Sequence, residues 1–250
     1  MAESRPTVPA SHEFFQAWQH YELVIRHNYM RHREVIAALE KWRDRSPHPT
    51  MSILDLGCGD AVVSTTVFGR QRGVYYCGVD LSGGALIVAR ERTHGLGWNT
   101  EWIEADLLSA TRRLNRRFDL VIAGYSLHHL REHDLAQTLQ QVKRLLRNRG
   151  SFMVYDTLRG VAESRDAFIG RFLTAVDASW DAFELAQRQA IREHVERYDF
   201  PIDLEQWAVL SARSAFAGRE SLYRDEANFY RLLHFWKSTG RVADKVASGN

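Results

Sequence analysis

Short apolar runs alternate with amphipathic segments through the middle of the chain. The runs predict strands, and they are "MSILDLG", "GVYYCGVDL", "TEWIEADL", "FDLVIAGYS" and "GSFMVYDT". Between them, apolar residues return every three or four positions, as they do in residues 132–147. Short apolar strands that alternate with amphipathic helices predict an α/β fold with a doubly wound, mostly parallel sheet over residues 49–159.

The pattern changes after residue 159. Residues 160–202 predict a mainly helical insertion, with helix over 163–197 and an interruption at "YDFPID". Residues 203–240 would complete the core sheet. They predict a helix that Asp203 can cap, followed by two strands joined by a tight turn, "GRESLYRDE" and "NFYRLLHFWK".

Residues 11–48 predict a further helical segment with an unusual inner face. A helix that starts at Ser11 and runs to about Arg45 would place one stripe of residues in a row. The stripe consists of Phe14, Trp18, Tyr21, Ile25, Asn28, His32, Val35 and Leu39. Its ends are apolar but its middle is polar. This indicates either a ligand cavity or interior groups that are hydrogen-bonded to the backbone.

Composition restricts the class of protein. The chain has 250 residues, of which 45% are hydrophobic, and this is enough for one domain with a proper core. The 33 basic and 31 acidic residues leave a net charge of +2, which argues against a dedicated nucleic-acid-binding protein. Apolar stretches are too short for a membrane span or a signal peptide, and Cys58 and Cys77 suit a reducing compartment. We therefore expect a cytoplasmic protein with flexible ends at 1–10 and 241–250.

The segment "ILDLGCGDA", residues 53–61, carries the clearest chemical signal. An apolar strand leads into a turn with Gly57 and Gly59, and a helix follows. Glycines let the backbone approach a ligand closely, and a helix N-terminus offers N–H groups to a polar ligand. An ordinary strand–turn–helix joint has the same pattern, so the glycines alone leave the function open.

Three aspartates favour a ligand site. Asp80 ends the next strand, 21 residues after Gly59, where nucleotide-binding folds place the acceptor for a ribose diol. Asp106 ends the third strand, 26 residues later. Because ligands collect at the carboxyl ends of parallel strands, we expect Asp55, Asp80 and Asp106 to converge on one edge. Dinucleotide-dependent dehydrogenases also carry a glycine turn followed by an acidic residue, but their fingerprint has a third glycine where this chain has Val62.

Together these motifs resemble those of class I S-adenosylmethionine-dependent methyltransferases. The resemblance is strong over residues 50–160 and loose over 200–237. It implies a seven-stranded Rossmann-like sheet with an antiparallel C-terminal strand pair and a helical lid. The segments that match successive motifs of the family are "LDLGCGDA", "GVDLS", "IEADL", "FDLVIAGYSLHHL" and "LLRNRGSFMVYDT".

The resemblance also implies how S-adenosylmethionine, and its product S-adenosylhomocysteine, would be held. Gly57 and Gly59 would pack under the methionyl part, with Asp55 orienting the loop. Asp80 would hold the ribose hydroxyls, and Asp106 would accept from the adenine amine. The other residues implied to contact the cofactor are Leu81 and Leu107 near the adenine and Ala123, Gly124 and Tyr125 on the methionyl side.

The fourth motif favours a small-molecule acceptor. Relatives that methylate nucleic-acid bases usually carry an Asn/Asp-Pro-Pro-aromatic run, whereas this chain has Ala-Gly-Tyr-Ser at 123–126. The resemblance implies that residues 11–48 and 160–202 fold over the cofactor as a lid. If the acceptor must lose a proton, a histidine suits the role of base, and His32 or His129 is favoured. The candidates to meet the methyl group and acceptor are Tyr21, Asn28, Tyr29, His32, His128, His129 and Asp156, with Phe14 and Trp18 as walls.

Other interpretations stay open. The chain could bind the cofactor as a non-catalytic sensor or scaffold, or could use it for a transfer other than methylation. The histidines do not predict a metal site, because His27 and His32 are five residues apart and the adjacent His128 and His129 should point apart. The basic run at 112–117 is read as a solvated loop. We expect no nucleic-acid or membrane partner, and a monomer or homodimer.

Overall fold

The computed structural model describes residues 21–45 and 51–238. The predictions for Ser11, Phe14, Trp18 and the two chain ends lie outside these residues. Within the described residues, seven strands form one sheet in the order β3-β2-β1-β4-β5-β7-β6. The strands are β1 (Ser52–Leu56), β2 (Tyr75–Asp80), β3 (Asn99–Glu104), β4 (Phe118–Gly124), β5 (Leu146–Thr157), β6 (Gly218–Arg224) and β7 (Tyr230–Trp236).

The sheet has the predicted doubly wound, mostly parallel arrangement. Strands β1 to β5 pair in parallel, and β7 lies antiparallel between β5 and β6. All five residues of β1 are buried because helices cover both faces of the sheet. Next to the end of β5 and the start of β7, the Leu158 N–H donates to the Phe229 carbonyl at 2.9 Å.

Three apolar clusters hold the helices in place. One face of the sheet packs against α5, α6 and α9, and the other face packs against α2, α3 and α4. A third cluster joins α1, α7 and α8 to the start of β7. No helix among the described residues is both long and apolar enough to cross a membrane. The helices are α1 (residues 21–26), α2 (His32–Arg45), α3 (Val62–Phe68), α4 (Gly83–Thr93), α5 (Leu107–Arg113), α6 (Glu132–Leu145), α7 (Arg165–Ser179), α8 (Leu185–Tyr198) and α9 (Leu204–Arg213).

Some helix boundaries differ from the prediction. The segment 163–197 is two helices, because the chain turns between Trp180 and Glu184. The basic run at 112–117 is only partly a loop, since its first two arginines end α5. The cap at Asp203 is confirmed: its carboxylate accepts from the Gln206 N–H at 2.9 Å, and the Gln206 side chain accepts from the Asp203 N–H at 3.2 Å.

The prediction of one continuous helix up to Arg45 is wrong. The chain turns at residues 27–31, where Asn28 and Arg31 have φ angles of 58° and 59°. Asn28 tolerates this left-handed conformation, and its Oδ1 accepts from the Arg33 N–H at 2.9 Å in the first turn of α2. The α2 residues Val35 and Leu39 are buried against the sheet, so α2 is part of the core. Within the described part of the expected 11–48 lid, only residues 21–31 pack away from the sheet, in the third apolar cluster.

We expect the Asn28→Ala variant to be less stable than the wild type by about 1–3 kcal/mol. The variant loses the hydrogen bond that caps α2, and it places alanine, which has no side-chain hydrogen bond, at a positive φ angle. Urea unfolding at pH 7 measures this loss. Asn28→Gly is the matched control, since it loses the same cap without the backbone penalty, and its loss should be smaller. Equal stability of Asn28→Ala and the wild type would contradict this role of Asn28.

Candidate active site

The turn after β1 is shaped by two glycines with different surroundings. Gly57 and Gly59 have φ angles of 72° and 52°, which favour glycine. A Cβ on Gly57 would lie 2.5 Å from the Cβ of Ser126, so a side chain there would clash with the segment after β4. A Cβ on Gly59 would have no described atom within 4 Å. Gly57 therefore allows close packing, whereas Gly59 borders open space.

Asp80 connects the end of β2 to this turn. Its Oδ2 accepts from the Gly59 N–H at 2.8 Å, and its Oδ1 accepts from the Ser82 N–H at 2.8 Å. Burial raises the pKa of the Asp80 carboxyl, while the backbone donors oppose this shift. The next residue, Leu81, leaves 43% of its surface exposed, which is unusual for a large apolar side chain at a strand end. A carboxylate that accepts hydrogen bonds and an exposed apolar surface are thus adjacent at this edge of the sheet.

Asp55 lies beneath the turn rather than on its surface. Its buried Oδ2 accepts from the Ser64 hydroxyl at 2.5 Å and from the Tyr76 hydroxyl at 2.8 Å. Burial raises the pKa of Asp55 to about 6, although these two hydroxyls act in the opposite direction. The contacts of this carboxylate tie β1 to α3 and β2, so Asp55 supports the turn from below.

The other predicted cofactor residues lie at the ends of β3 and β4. Asp106 is exposed and caps α5, since its Oδ1 accepts from the Ser109 N–H at 2.9 Å. Leu107 follows as the first residue of α5. The side chain of Ala123 is fully buried in the core, whereas Gly124 and Tyr125 are partly exposed where β4 ends. The predicted residues therefore lie at the carboxyl ends of neighbouring parallel strands, and the side chains of two of them, Asp55 and Ala123, are buried in the interior.

A cavity of about 530 Å³ lies next to the end of β4. Part of its lining is aromatic and aliphatic, and the polar part, called the polar wall, consists of His128, His129, His194 and Asp199. Tyr21 and Tyr125 both line the cavity. Burial raises the pKa of Tyr21, and the charges of Asp60, Asp55 and Asp80 raise it further. The main apolar lining residues are Val24, Phe172, Trp180, Ile191 and Val195.

His128 lies between two carboxylates at the polar wall. Its Nδ1 pairs with Asp156 Oδ1, and its Nε2 is 3.6 Å from Asp199 Oδ1. Burial opposes the charged imidazolium, but Asp156 and then Asp199 outweigh it and raise the pKa of His128 to about 9. The backbone N–H groups of His128 and Thr157 donate to Asp156 at 3.1 and 2.8 Å. Asp156 therefore fixes the orientation of the His128 ring.

Two further histidines surround the same oxygen of Asp199. His129 Nδ1 is 3.2 Å from Asp199 Oδ1, and His194 Nε2 is 3.7 Å from it. The rings of His128 and His129 are 4.0 Å apart, because both side chains turn toward Asp199 from one 3-10 turn, Leu127–His129. The expectation that these adjacent histidines point apart is wrong. Burial raises the pKa of the Asp199 carboxyl, but the nearby His128 and His129 outweigh it and lower that pKa.

His32 is buried among aromatic rings. Its ring centre is 5.9 Å from that of Tyr21 and 5.1 Å from that of Tyr125. Both ring nitrogens lack a hydrogen-bond partner within the described residues. Burial lowers the pKa of His32 to about 4, so the ring is neutral at pH 7.

Two predicted site residues have other partners. The Asn28 amide donates to Glu34 at 2.8 Å and caps α2. The Tyr29 hydroxyl donates to Asp181 at 2.7 Å and accepts from the Ala182 N–H at 3.0 Å. The structure thus brings Tyr21, His129 and the His128–Asp156 pair to the cavity region but gives Asn28 and Tyr29 structural contacts.

Asp199 and His194 are the residues that sequence reasoning missed. Asp199 lies in "YDFPID", which predicts only a helix break, and His194 lies within a predicted helix. They reach His129 from about 70 positions away, so no local spacing reveals the cluster. The signal available was limited to a carboxylate two residues before Pro201 and the high number of histidines.

Comparisons with known proteins agree with this geometry. Residues 53–150 match the family model described as a methyltransferase domain. A protein of Mycobacterium tuberculosis named as an uncharacterised methyltransferase is 30% identical over 86 residues, which are 34% of this chain and 41% of that protein. The chain therefore spans about two fifths of the length of such relatives.

Solved structures show the same fold at low sequence identity. An O-methyltransferase family protein from Burkholderia thailandensis has a TM-score of 0.62 and 15% identity, and the match covers 84% of this chain and 57% of that one. The magnesium protoporphyrin IX methyltransferase of Synechocystis, solved with bound S-adenosylhomocysteine, has a TM-score of 0.57 and 14% identity, with 83% of each chain covered. At these identities the likeness concerns the fold alone.

The neutral state of buried His32 predicts a pH-dependent stability. With a pKa near 6.5 unfolded and about 4 folded, the unfolded chain binds more protons, so stability is full above pH 6.5 and falls toward pH 4. Between pH 7.5 and 5.0 the wild type should lose about 2 kcal/mol relative to His32→Phe. Urea unfolding of both proteins at the two pH values measures the difference, and parallel losses would remove His32 as the source.

Proposed function

We propose that the protein transfers a methyl group from S-adenosylmethionine to a small-molecule acceptor, from the premise that residues 53–150 match the model of a methyltransferase domain. The supporting observation is the glycine turn itself. Among the described residues, space is open beside Gly59, Asp80 offers a carboxylate that can accept hydrogen bonds, and Leu81 exposes an apolar surface. These three features suit a ligand with a flat aromatic base, a ribose diol and a polar amino-acid end.

The cofactor would lie along the carboxyl ends of β1, β2, β3 and β4. Asp80 would exchange its contact with the Gly59 N–H for the ribose hydroxyls, and Leu81 would cover one face of the adenine. Asp106 and the first N–H of α5, at Leu107, would meet the edge of the adenine. Gly57 and Gly59 would adjoin the methionyl part, supported from below by Asp55. When bound, the cofactor supplies a methyl group on a positively charged sulfur.

The acceptor would occupy the cavity beside Gly124 and Tyr125. Its volume of about 530 Å³ lies within the usual range of about 300–1,000 Å³ for small-molecule sites. Tyr125, which follows Gly124 at the carboxyl end of β4, lines this cavity, so the methyl group would be presented from that side. A non-catalytic sensor would not need a second cavity of this size beside the cofactor, so the cavity favours transfer.

The side chains around the cavity would act mainly by positioning the acceptor and excluding water. Methyl transfer is an in-line displacement, and its rate depends on alignment and on a site of low polarity. The aromatic wall with Phe172 and Trp180 provides that environment, and residues 21–31 with α7 and α8 would form the lid. If the acceptor must lose a proton, the polar wall with His129 is better placed than His32, which burial keeps weakly basic.

Replacing Asp80 with alanine should weaken the binding of S-adenosylhomocysteine by roughly 10–100-fold, because hydrogen bonds to a charged group contribute about 1.5–3 kcal/mol. Isothermal titration calorimetry with the purified protein measures this loss. Asp166→Asn is the matched control, since its side chain is 96% exposed on α7, and its affinity should equal that of the wild type. Unchanged affinity in a folded Asp80→Ala variant would remove Asp80 from the cofactor site.

Transfer itself is tested by isotope tracing. The protein is incubated with methyl-deuterated S-adenosylmethionine and a metabolite extract, and mass spectrometry searches for a small molecule that gains the label. We expect a labelled product that is absent with Asp80→Ala and present with Asp166→Asn. Cofactor binding without any labelled product would favour the non-catalytic or non-methylating alternatives.

A further inference from the structure

The polar wall of the cavity contains a cluster that the proposed transfer does not require. His128, His129 and Asp199 each direct one potential ligand atom to a common point, and these atoms all lie within 4.8 Å of one another. We propose that this cluster, the His–His–Asp site, binds a divalent transition-metal cation such as Zn²⁺. The inference concerns cation binding and does not depend on which reaction the cavity supports.

The spacing of the three atoms fits a metal. Asp199 Oδ1 is 3.2 Å from His129 Nδ1 and 3.6 Å from His128 Nε2. Zinc–nitrogen and zinc–oxygen distances of about 2.0–2.2 Å place tetrahedral ligand atoms roughly 3.3–3.6 Å apart. The two separations from Asp199 Oδ1 match these values within a few tenths of an ångström, and the ligand atoms of the two histidines lie within 4.8 Å of each other. The two imidazoles and one carboxylate are also ligands that Zn²⁺ accepts in proteins.

Asp156 provides the supporting contact that metal-binding histidines usually have. It pairs with His128 Nδ1 and leaves Nε2, the proposed ligand atom, directed at Asp199. This carboxylate–histidine–metal arrangement fixes the tautomer and orientation of the ring and raises its basicity. Asp156 is itself held by the N–H groups of His128 and Thr157. The orientation of His128 is therefore established before a cation binds.

A second observation is the state of Asp199 Oδ1. This oxygen is buried and, among the described residues, has no hydrogen bond of good geometry. Buried polar atoms are normally satisfied, and a bound cation would satisfy this one. His194 Nε2 lies 3.7 Å from the same oxygen and faces the cavity, so it can complete the coordination.

The ligands come from two segments that are tied together. The Phe200 N–H donates to the His128 carbonyl at 2.6 Å, which fixes the residue after Asp199 to the 3-10 turn. The site therefore stands on anchored backbone rather than on independent loops. With these three ligands a four-coordinate cation would keep one position for His194 or for a hydroxyl or water, and a water bound there would lose its proton more easily.

Zinc titration of the purified, tag-free and chelator-treated protein tests the site. We expect one Zn²⁺ per chain with a Kd of about 1 µM or below, measured by calorimetry. His129→Gln and Asp199→Asn should each weaken binding at least about 10-fold, and Asp156→Asn should weaken it roughly 10–100-fold by releasing His128. Titration with Co²⁺ adds a direct readout, because its visible absorption reports the coordination geometry.

His133→Gln is the matched control. His133 Nδ1 is also 3.2 Å from an aspartate oxygen, that of Asp134, but 79% of its side chain is exposed. Its loss should leave Zn²⁺ affinity unchanged. The His129 side chain is 38% exposed and lies outside the apolar core, so we expect its variant to keep the fold even if Asp199→Asn does not. Absence of saturable Zn²⁺ binding, or binding that His129→Gln does not weaken, would overturn the proposal and leave an imidazolium–carboxylate network without metal.

Discussion

The close approach of Gly57 to the segment after β4 is the constraint on which the site depends. A Cβ at Gly57 would overlap Ser126, whose hydroxyl donates to the Leu56 carbonyl at 3.0 Å. On the other side, the N–H groups of Gly57 and Cys58 donate to the Val79 carbonyl. The turn after β1 is thereby held between the ends of β2 and β4. This contact brings the proposed cofactor side of the site and the start of the cavity within one short stretch of backbone.

The balance between buried negative and positive charges determines the properties of the polar wall of the cavity. Two buried carboxylates, Asp156 and Asp199, share the charge of one buried imidazole at His128. Charges taken out of water are costly unless they are paired and hydrogen-bonded, and Asp156 is satisfied in this way. Asp199 is only partly compensated, because its partners are ring nitrogens at 3.2–3.7 Å without a well-directed hydrogen bond. This local deficit makes the polar wall suited to a positively charged ligand.

The sequence predicted what depends on local pattern. Strand positions, the parallel sheet and the cap at Asp203 follow from hydrophobic periodicity and side-chain chemistry that act over a few residues. The prediction of a long N-terminal helix failed because a left-handed turn at Asn28 interrupts the helix without disturbing the spacing of apolar residues. The predicted orientation of His128 and His129 was wrong because a 3-10 turn and a distant aspartate direct both rings to one point. Contacts across about 70 residues leave no periodic signal.

The hydrogen bond between Leu158 and Phe229 closes a long excursion of the chain. The segment between them contributes α7 and α8 to the cavity and also contains α9 and the edge strand β6, while its two ends lie side by side. The entropy cost of closing such a loop rises only slowly with its length. Insertions and deletions around α7 and α8 would therefore change the size of the cavity while the registers of β5 and β7 stay fixed. In evolutionary terms, the proposed acceptor range could change through this helical part alone, while the strands of the proposed cofactor site stay the same.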